Sequence, residues 1–303
     1  MNRSSPRPPL FSWALYDFAN SAFATTIVGV IFNRYYAQTI AGGADGAAIN
    51  FGLFSLHLPG ASWWTFCVSL SMAVVALLAP IMGAIADYSG SKKKFLFIFF
   101  VLGVAGTTLM ATIGPGELVW ASTLLILANV GFACANVFYN AFLTDISTPS
   151  NIGRVSGYGW ALGYLGGGLL LLINLIMLQK PELLGFSAGT FTIHHCFLSV
   201  ALWWTIFSMP LFLRVKDRPV DSQRLNLTGY IRTGFGRLRR TFRQIKKYRE
   251  LFKFLGAYFL YNDGIQTVLI ITAIFGAEVV GMGLERMIVY FLMIQFVALG
   301  GSL

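Results

Sequence analysis

Long apolar runs, each about as long as a membrane-spanning helix, constrain this chain more than any other feature. They lie near residues 12–37, 61–86, 94–113, 118–144, 155–178, 193–213, 253–276 and 286–303. About 20 residues at a rise of about 1.5 Å cross a hydrocarbon layer roughly 30 Å thick, and no run shows the period of two of barrel strands. Hydrophobic residues make up 56% of the chain and charged residues 11%, beyond what a soluble domain normally shows. The sequence therefore predicts an all-α, polytopic helical membrane protein.

The distribution of positive charge predicts the orientation of these helices. Of the 22 Lys and Arg residues, 19 fall on one side of the membrane in this scheme, and only Arg34, Lys180 and Arg286 lie on or near the other. Loops rich in Lys and Arg stay in the cytoplasm, so the N-terminus is expected inside. The net charge of +10 is then explained by topology and by contact with anionic lipid headgroups, not by nucleic acid. A polar tail leads into a long first run without a cleavage site, so no secretory signal is expected.

A long basic segment divides the chain. Residues 1–214 contain six apolar runs and are predicted to form an N-terminal six-helix bundle, whereas 251–303 begin a second bundle with two helices. Between them, 215–250 are predicted to be a cytoplasmic linker. Apolar residues recur within it at spacings of three and four, which favours a basic amphipathic helix on the inner leaflet. A partly disordered linker and a nucleic-acid-binding arm are the alternatives.

The loop between the second and third runs carries Gly83-Ala-Ile-Ala-Asp87-Tyr-Ser-Gly90-Ser-Lys92-Lys93-Lys94. This pattern resembles the loop between helices 2 and 3 of the major facilitator superfamily, although Tyr88 and Ser91 stand where a basic residue is usual. The resemblance implies a cytoplasmic gate at Gly83, Asp87, Gly90 and Lys92. Arg154, at the start of the fifth run, either pairs with Asp87 or Asp145 to latch that gate or anchors to lipid headgroups. Alternatively, the lysines only hold a helix end in the cytoplasm.

Two aspartates lie inside apolar runs. A charge near the bilayer centre costs roughly 2.5–3.5 kcal/mol on insertion scales, so Asp17 and Asp263 each need a partner, a water-filled cavity or a proton. Each stands next to an aromatic or amide residue, and a further amide follows three residues later, Asn20 in one case and Gln266 in the other. The pattern predicts a pathway for a substrate or a proton. The alternative is that these acids cap broken helices or accept fixed hydrogen bonds between helices.

The fourth run carries a polar face formed by Asn129, Asn136, Asn140 and Thr144, at spacings of seven, four and four. Such a face either lines a central cavity or joins helices by hydrogen bonds. We predict that Asn136 and Asn140 face the cavity together with the acids and amides of the first and seventh runs. In the fifth run, Gly159, Gly163 and Gly167 form a ladder that favours close helix packing.

Four segments carry a closer resemblance, and they occur in order over nearly the whole chain. They are Ser12-Trp-Ala-Leu-Tyr-Asp-Phe-Ala-Asn-Ser-Ala-Phe, Tyr139-Asn-Ala-Phe-Leu, Arg154-Val-Ser-Gly-Tyr-Gly-Trp-Ala-Leu-Gly-Tyr-Leu-Gly-Gly-Gly and Tyr258-Phe-Leu-Tyr-Asn-Asp-Gly-Ile-Gln-Thr. Together they are similar to the vacuole-effluxer-like branch of the major facilitator superfamily. The resemblance implies a major facilitator fold of twelve helices, alternating access between two bundles and, by analogy with the fungal members, export of amino acids. The short loops resemble the bacterial type, which implies the plasma (inner) membrane.

Other functions have less support in the sequence. The chain ends within the eighth run, so we expect a fragment of a longer polypeptide, and a nonfunctional or partner-dependent fragment is one alternative. A membrane-embedded enzyme and a sensor are others, but no catalytic motif is present. Three widely spaced cysteines and the adjacent His194 and His195 do not form a metal site, and no cofactor is expected. The expected partners are lipid, a small-molecule substrate and protons.

Overall fold

The computed structural model describes residues 10–50, 55–217 and 248–302, together with Gly236, Arg239 and Arg243. Within this part of the chain, eight helices are long and apolar enough to cross a membrane. They are α1 (Leu10–Ile40), α2 (Gly60–Ser89), α3 (Lys92–Leu109), α4 (Leu118–Ala141), α5 (Ile152–Gln179), α6 (Ile193–Arg214), α7 (Arg249–Glu278) and α8 (Leu284–Ser302). The predicted all-α polytopic fold is confirmed, and each predicted run coincides with one helix. The predicted amphipathic linker helix falls mainly on residues outside the described part.

Helices form in these runs because lipid offers the backbone no hydrogen-bond partners, so each segment must satisfy its own N–H and C=O groups. The ends are set by local chemistry. Gly90 stops α2 in a left-handed conformation at φ 63°, which glycine adopts without steric cost, and its amide bonds back to the Ala86 carbonyl. Thr192 starts α6 with a capping box, in which its amide donates to His195 Nδ1 at 3.0 Å.

The first helix is not regular along its length. It is α-helical at Leu10–Ala22 and Ile31–Tyr35, and it widens into π-helical turns at Phe23–Val30 and Tyr36–Ile40. The side chain of Asn33, in the second α-helical part, donates to the carbonyl of Val28 in the first widened turn at 2.9 Å. Such turns are rare and occur often at functional sites.

A small β-hairpin connects α1 and α2. Strands β1 (Ala47–Asn50) and β2 (Ser55–Leu58) pair antiparallel, with Ala47 opposite Leu58. The Trp63 indole at the start of α2 donates to the Ala47 carbonyl at 2.8 Å and fixes the hairpin to the bundle. The sequence analysis did not predict this hairpin, because four-residue strands are too short to produce a recognisable alternation.

The core surrounds α1, which packs against α5 and α6, while α3 and α2 pack against α4. Aromatic side chains fill these contacts. Phe23 of α1 lies 4.9 Å from Phe132 of α4 and 5.6 Å from Trp204 of α6, measured between ring centroids. By contrast, most side chains of α7 are exposed, and α8 packs chiefly along α5. The first six helices therefore form one packed bundle beside which α7 and α8 lie.

Candidate functional site

A hydrogen bond between two amides lies deep in the bundle. Asn20 Nδ2 of α1 donates to Asn136 Oδ1 of α4 at 2.6 Å, and the Asn20 side chain is 1% exposed. An amide buried in an apolar helix needs such a partner, because an unpaired polar group in hydrocarbon is costly. Two of the predicted pathway residues are therefore in direct contact.

Asp17 lies one turn before Asn20, on a part of α1 that faces α5. A methyl group added to Gly163 of α5 would lie 3.1 Å from Asp17 Oδ2 and 2.7 Å from Ser21 Oγ. The Asp17 side chain is partly exposed. Among the described residues, no hydrogen bond or ion pair involves its carboxylate. The site thus contains a partly exposed carboxylate inside a membrane helix, without a hydrogen bond or ion pair to any residue that the structure describes.

The glycine ladder explains how α1 and α5 approach so closely. Gly159 and Gly163 both face α1, and a methyl group on Gly166 would overlap the Phe18 carbonyl oxygen. The packing role predicted for the ladder is confirmed. This close contact holds Asp17 against the α5 backbone.

The polar residues of α4 differ in burial and in the helices that they contact. Asn129 is buried and donates to Ser71 Oγ of α2 at 2.6 Å, so it joins two helices. Asn136 contacts Asn20, whereas Asn140 and Thr144 are exposed. The stripe therefore joins helices at Asn129, while Asn140 lies on an exposed surface of α4 and its predicted place in a cavity stays a prediction.

The predicted residues of α7 lie apart from the amide pair. Asp263 and Gln266 are both exposed, on the half of α7 that precedes its buried residues Ala273, Ile274 and Gly276. No hydrogen bond or ion pair joins them to α1 or α4 in the described part of the chain. The structure thus places Asp17, Asn20 and Asn136 together but leaves Asp263 and Gln266 separate from them.

At the end of the bundle where the basic residues cluster, called here the basic end, Lys92 joins two loops. Its Nζ lies 3.2 Å from Asp145 Oδ2 and 3.3 Å from the Ala141 carbonyl oxygen. Arg154, the other residue considered for Asp145, is exposed and makes no ion pair with a described residue. Lys92 therefore links the start of α3 to the end of α4.

The other members of the predicted gate are less well defined. Gly83 has no atom within 4 Å of the position of a Cβ, and Gly90 ends α2 as described above. Asp87 lies in the last turns of α2, and its side chain is outside the part that the structure describes. For the residues of the predicted gate, the structure therefore describes the backbone at Gly83, Asp87 and Gly90 and the contacts of Lys92 with Asp145 and Ala141.

A second contact at the basic end was missed by the sequence analysis. The Lys93 amide donates to Asp217 Oδ1 at 2.9 Å, and Lys93 Nζ donates to the Val215 carbonyl at 2.8 Å. Burial raises the pKa of the Asp217 carboxyl above its ordinary value, while the hydrogen bond from the Lys93 amide acts in the opposite direction. Nothing in the spacing of these residues pointed to the contact, because it depends on the start of α3 lying beside the end of α6.

At the opposite end of the bundle, α1 holds the segment formed by α7 and the loop after it. Asn33 Nδ2 donates to the Ile270 carbonyl of α7 at 2.9 Å, and Arg34 Nη1 donates to the Met282 carbonyl at 2.9 Å. Arg34 Nε also donates to Gln38 Oε1 at 2.9 Å. The sequence analysis did not assign these two residues a role, although Arg34 was visible as the only basic residue in the first apolar run.

A groove opens at the basic end between α5 and α8, with a volume of about 420 Å³. Its lining consists of Ser156, Gly157, Trp160, Tyr164, Ala298, Gly301 and Ser302. Tyr164 follows Gly163, which faces Asp17, so the groove reaches the level of the Asp17 carboxylate along α5.

Comparisons with known proteins identify similar chains. A family model described as "Vacuole effluxer Atg22 like" matches residues 5–151 and 144–303. The MFS-type transporter YxiO of Bacillus subtilis (strain 168), described as uncharacterized, is 33% identical over 291 residues, which cover 95% of this chain and 64% of that protein. Autophagy-related protein 22 of Yarrowia lipolytica is 24% identical (71% of this chain, 48% of that protein). Autophagy-related protein 22-1 of Penicillium rubens is 25% identical (74% and 47%).

The chain therefore spans about half to two thirds of the length of these relatives. No solved structure shows significant similarity to it.

Proposed function

Because the chain belongs to the Atg22-like vacuole effluxer family, we propose that it acts in a secondary transporter that moves a small polar solute across a membrane by alternating access. The named relatives are transporters or autophagy-related proteins and not enzymes. The observation that carries the proposal is Asp17, a partly exposed carboxylate within a membrane helix that makes no hydrogen bond or ion pair with the described residues. A charge at this depth is costly unless it serves a substrate, an ion or a proton.

We assign the substrate and proton pathway to Asp17, Asn20, Asn136, Asn140, Asp263 and Gln266. The hydrogen bond between Asn20 and Asn136, with Asp17 one turn away, supports one side of this pathway. Asp263 and Gln266 belong to α7, and they reach the pathway only if α7 moves toward α1 during the transport cycle. Amides and carboxylates of this kind bind polar, zwitterionic solutes, so amino acids are the proposed substrate class. Export is the proposed direction, by analogy with the effluxers that give the family its description.

The arrangement of contacts supports alternating access. In the described part of the chain, α1 contacts α7 and the loop after it at the end opposite the basic residues, through Asn33 and Arg34. Helix α8 packs along α5, and a groove lies between these two helices at the basic end. We propose that the structure corresponds to a state open toward the basic end. Closing that end is assigned to Gly83, Asp87, Gly90, Lys92 and Arg154.

The domain organisation and orientation follow from the same proposal. Residues 1–214 act as one bundle, 215–250 as a basic linker on anionic headgroups and 251–303 as the beginning of the second bundle. The clustering of Lys and Arg at one end supports a cytoplasmic N-terminus. The bacterial relative supports location in a plasma membrane, while the fungal relatives carry names that link them to autophagy.

The experiment that tests the proposal is amino-acid flux driven by a pH gradient in vesicles that contain the full-length protein. Asp263→Asn is expected to abolish pH-driven flux, because an amide cannot bind and release a proton. Glu278→Gln neutralises an exposed acid at the end of the same helix and should transport normally. Normal pH-driven flux in Asp263→Asn contradicts proton coupling through this residue, and turnover of a substrate in detergent without a gradient would support an enzyme instead.

A further inference from the structure

The loop between α5 and α6, at the end of the bundle opposite the basic end, presents large apolar side chains on its outside. It follows Gln179, the last residue of α5, and ends at Thr192, which caps α6. Within it Leu183 is 71% exposed, Phe186 49% and Leu184 41%. An exposed apolar patch of this kind marks a surface that meets a protein or a membrane.

The first half of the loop is a compact turn. Pro181–Leu184 form one turn of 3-10 helix, and Gly185 follows in the left-handed conformation at φ 81°. The Gly185 amide donates to the Glu182 carbonyl at 3.0 Å, and the Phe186 amide donates to the Pro181 carbonyl at 3.1 Å. The turn thus pairs backbone groups within itself while its apolar side chains stay outside. A segment that enters lipid needs this arrangement, because hydrocarbon offers the backbone no partner.

Ring contacts connect this turn to α6. Phe186 meets Phe191 edge-on with ring centroids 4.9 Å apart, and Phe191 meets His195 of α6 edge-on at 5.7 Å. His195 belongs to the capping box that begins α6. The exposed patch therefore has a defined position relative to the end of a membrane helix.

The second half of the loop is polar. Ser187 and Thr190 are exposed, and the Thr190 amide and Oγ1 donate to the Ser187 carbonyl at 3.2 Å and 2.7 Å. The charged residues Lys180 and Glu182 are also exposed, so they can remain in the hydrated headgroup layer. An apolar side next to a polar side is the pattern of segments that lie at the boundary between lipid and water.

We propose that residues 181–186, called here the apolar turn, insert into the lipid surface at this end of the membrane. Lipid is the occupant because the turn joins two membrane-spanning helices and continues their outward surfaces. Ile173 of α5 and Leu198 and Leu202 of α6 are exposed apolar residues on the two sides of the loop. The apolar turn is therefore an extension of the lipid-facing surface of the bundle.

Insertion of the apolar turn has a consequence for α6. Because Phe186 is linked through Phe191 to His195, lipid contact at the turn holds the first turn of α6 at the level of the headgroups. This inference depends on the chain being embedded in a membrane and not on the proposed transport of a solute.

The direct test is the depth of nitroxide spin labels in the full-length protein, reconstituted in liposomes in a background without native cysteines. Labels are placed at Leu183→Cys and Phe186→Cys in the apolar turn, and at Ser187→Cys and Thr190→Cys as controls in the polar half. Oxygen dissolves in lipid and a nickel chelate in water, so the ratio of their collision rates with a label reports its depth. We expect this ratio to be several-fold higher at the two positions of the apolar turn than at the controls.

Two outcomes would overturn the proposal. Equal ratios at all four positions would place the whole loop in water. Low collision rates with both reagents at Leu183→Cys and Phe186→Cys would show that protein covers the turn, either further residues of the polypeptide or a second chain.

A second measurement leaves the loop without a label. Liposomes that contain a lipid with a diazirine near the start of its acyl chain are irradiated, and the crosslinked residues are identified by mass spectrometry. The double variant Leu183→Ser with Phe186→Ser is expected to lose crosslinks in the loop several-fold relative to the parent protein, because its turn no longer favours lipid. Ala188→Ser, an exposed position in the polar half, should leave them unchanged. Undiminished crosslinking in the double variant contradicts insertion of the apolar turn.

Discussion

The pair formed by Asn20 and Asn136 allows one interhelical hydrogen bond to be measured on its own. Asn20→Ala and Asn136→Ala are each expected to destabilise the bundle, and the double variant should cost less than the sum of the single ones. The expected coupling energy is about 1 kcal/mol, because hydrogen bonds between membrane helices contribute roughly 0.6–2 kcal/mol. A double-mutant cycle of unfolding free energies in mixed micelles measures this value.

Asn140 is the matched control for this cycle. It lies one turn from Asn136 on α4 but is exposed. A cycle that pairs Asn140→Ala with Asn20→Ala should give a coupling energy near zero. Equal coupling for both pairs would mean that the cycle reports a general change in the bundle and not the hydrogen bond.

For single residues, the sequence identified the polar side chains inside the membrane helices but not the residues that they touch. Amides and acids stand out in apolar runs, so Asp17, Asn20 and Asn136 were identifiable. Their partners were not, because contact between α1 and α4 depends on how the helices cross. Asn129 and Asn140 share one stripe, yet one is buried against Ser71 and the other is exposed.

The close packing of two whole elements, α1 and α5, depends on the absence of a side chain at Gly166. Gly166→Ala would place a methyl group on the Phe18 carbonyl oxygen, so the helices must separate. The expected cost is about 1–3 kcal/mol, as for other overpacked sites. Gly168→Ala, two residues further along α5, adds a methyl group at ordinary contact distance, 3.4 Å from Gln295 Cβ, and should be close to neutral. Thermal unfolding of the two variants compares them directly, and equal midpoints would mean that α1 does not depend on this glycine.

Helices and strands were predicted from the sequence only where a single physical constraint sets their length. Bilayer thickness sets the length of a spanning helix, so eight apolar runs became eight helices with ends only a few residues away. The π-helical turns in α1 and the hairpin of β1 and β2 had no comparable signal. The turns keep the apolar composition of an ordinary helix, and the hairpin depends on a tertiary hydrogen bond from Trp63.

Across the whole molecule, the two ends of the bundle differ in how α1 meets α7. At one end α1 donates side-chain hydrogen bonds to main-chain carbonyls of Ile270 and Met282, while the half of α7 that carries Asp263 is exposed. Because the acceptors are carbonyls, the contact depends on Asn33 and Arg34 and not on the side chains at positions 270 and 282. Neither donor changes its charge near neutral pH, so the strength of this contact is expected to be independent of pH.

Removing the Arg34 side chain should therefore separate α1 from α7 at the end of the molecule where they are joined. A hydrogen bond from a charged group contributes about 1.5–3 kcal/mol, so Arg34→Ala is expected to raise the population of the open state at least about tenfold. Opening can be measured with a cysteine introduced at Ile274, which is buried on α7 one turn beyond Ile270. In a background without native cysteines, its rate of labelling by a membrane-impermeant maleimide reports how often α7 separates from α1.

Two variants serve as controls. Met282→Leu keeps the acceptor carbonyl and Arg286→Ala removes an exposed arginine nearby, so neither should change the labelling rate. A labelling rate in Arg34→Ala equal to that of these two controls would mean that the hydrogen bond to Met282 does not hold α1 and α7 together.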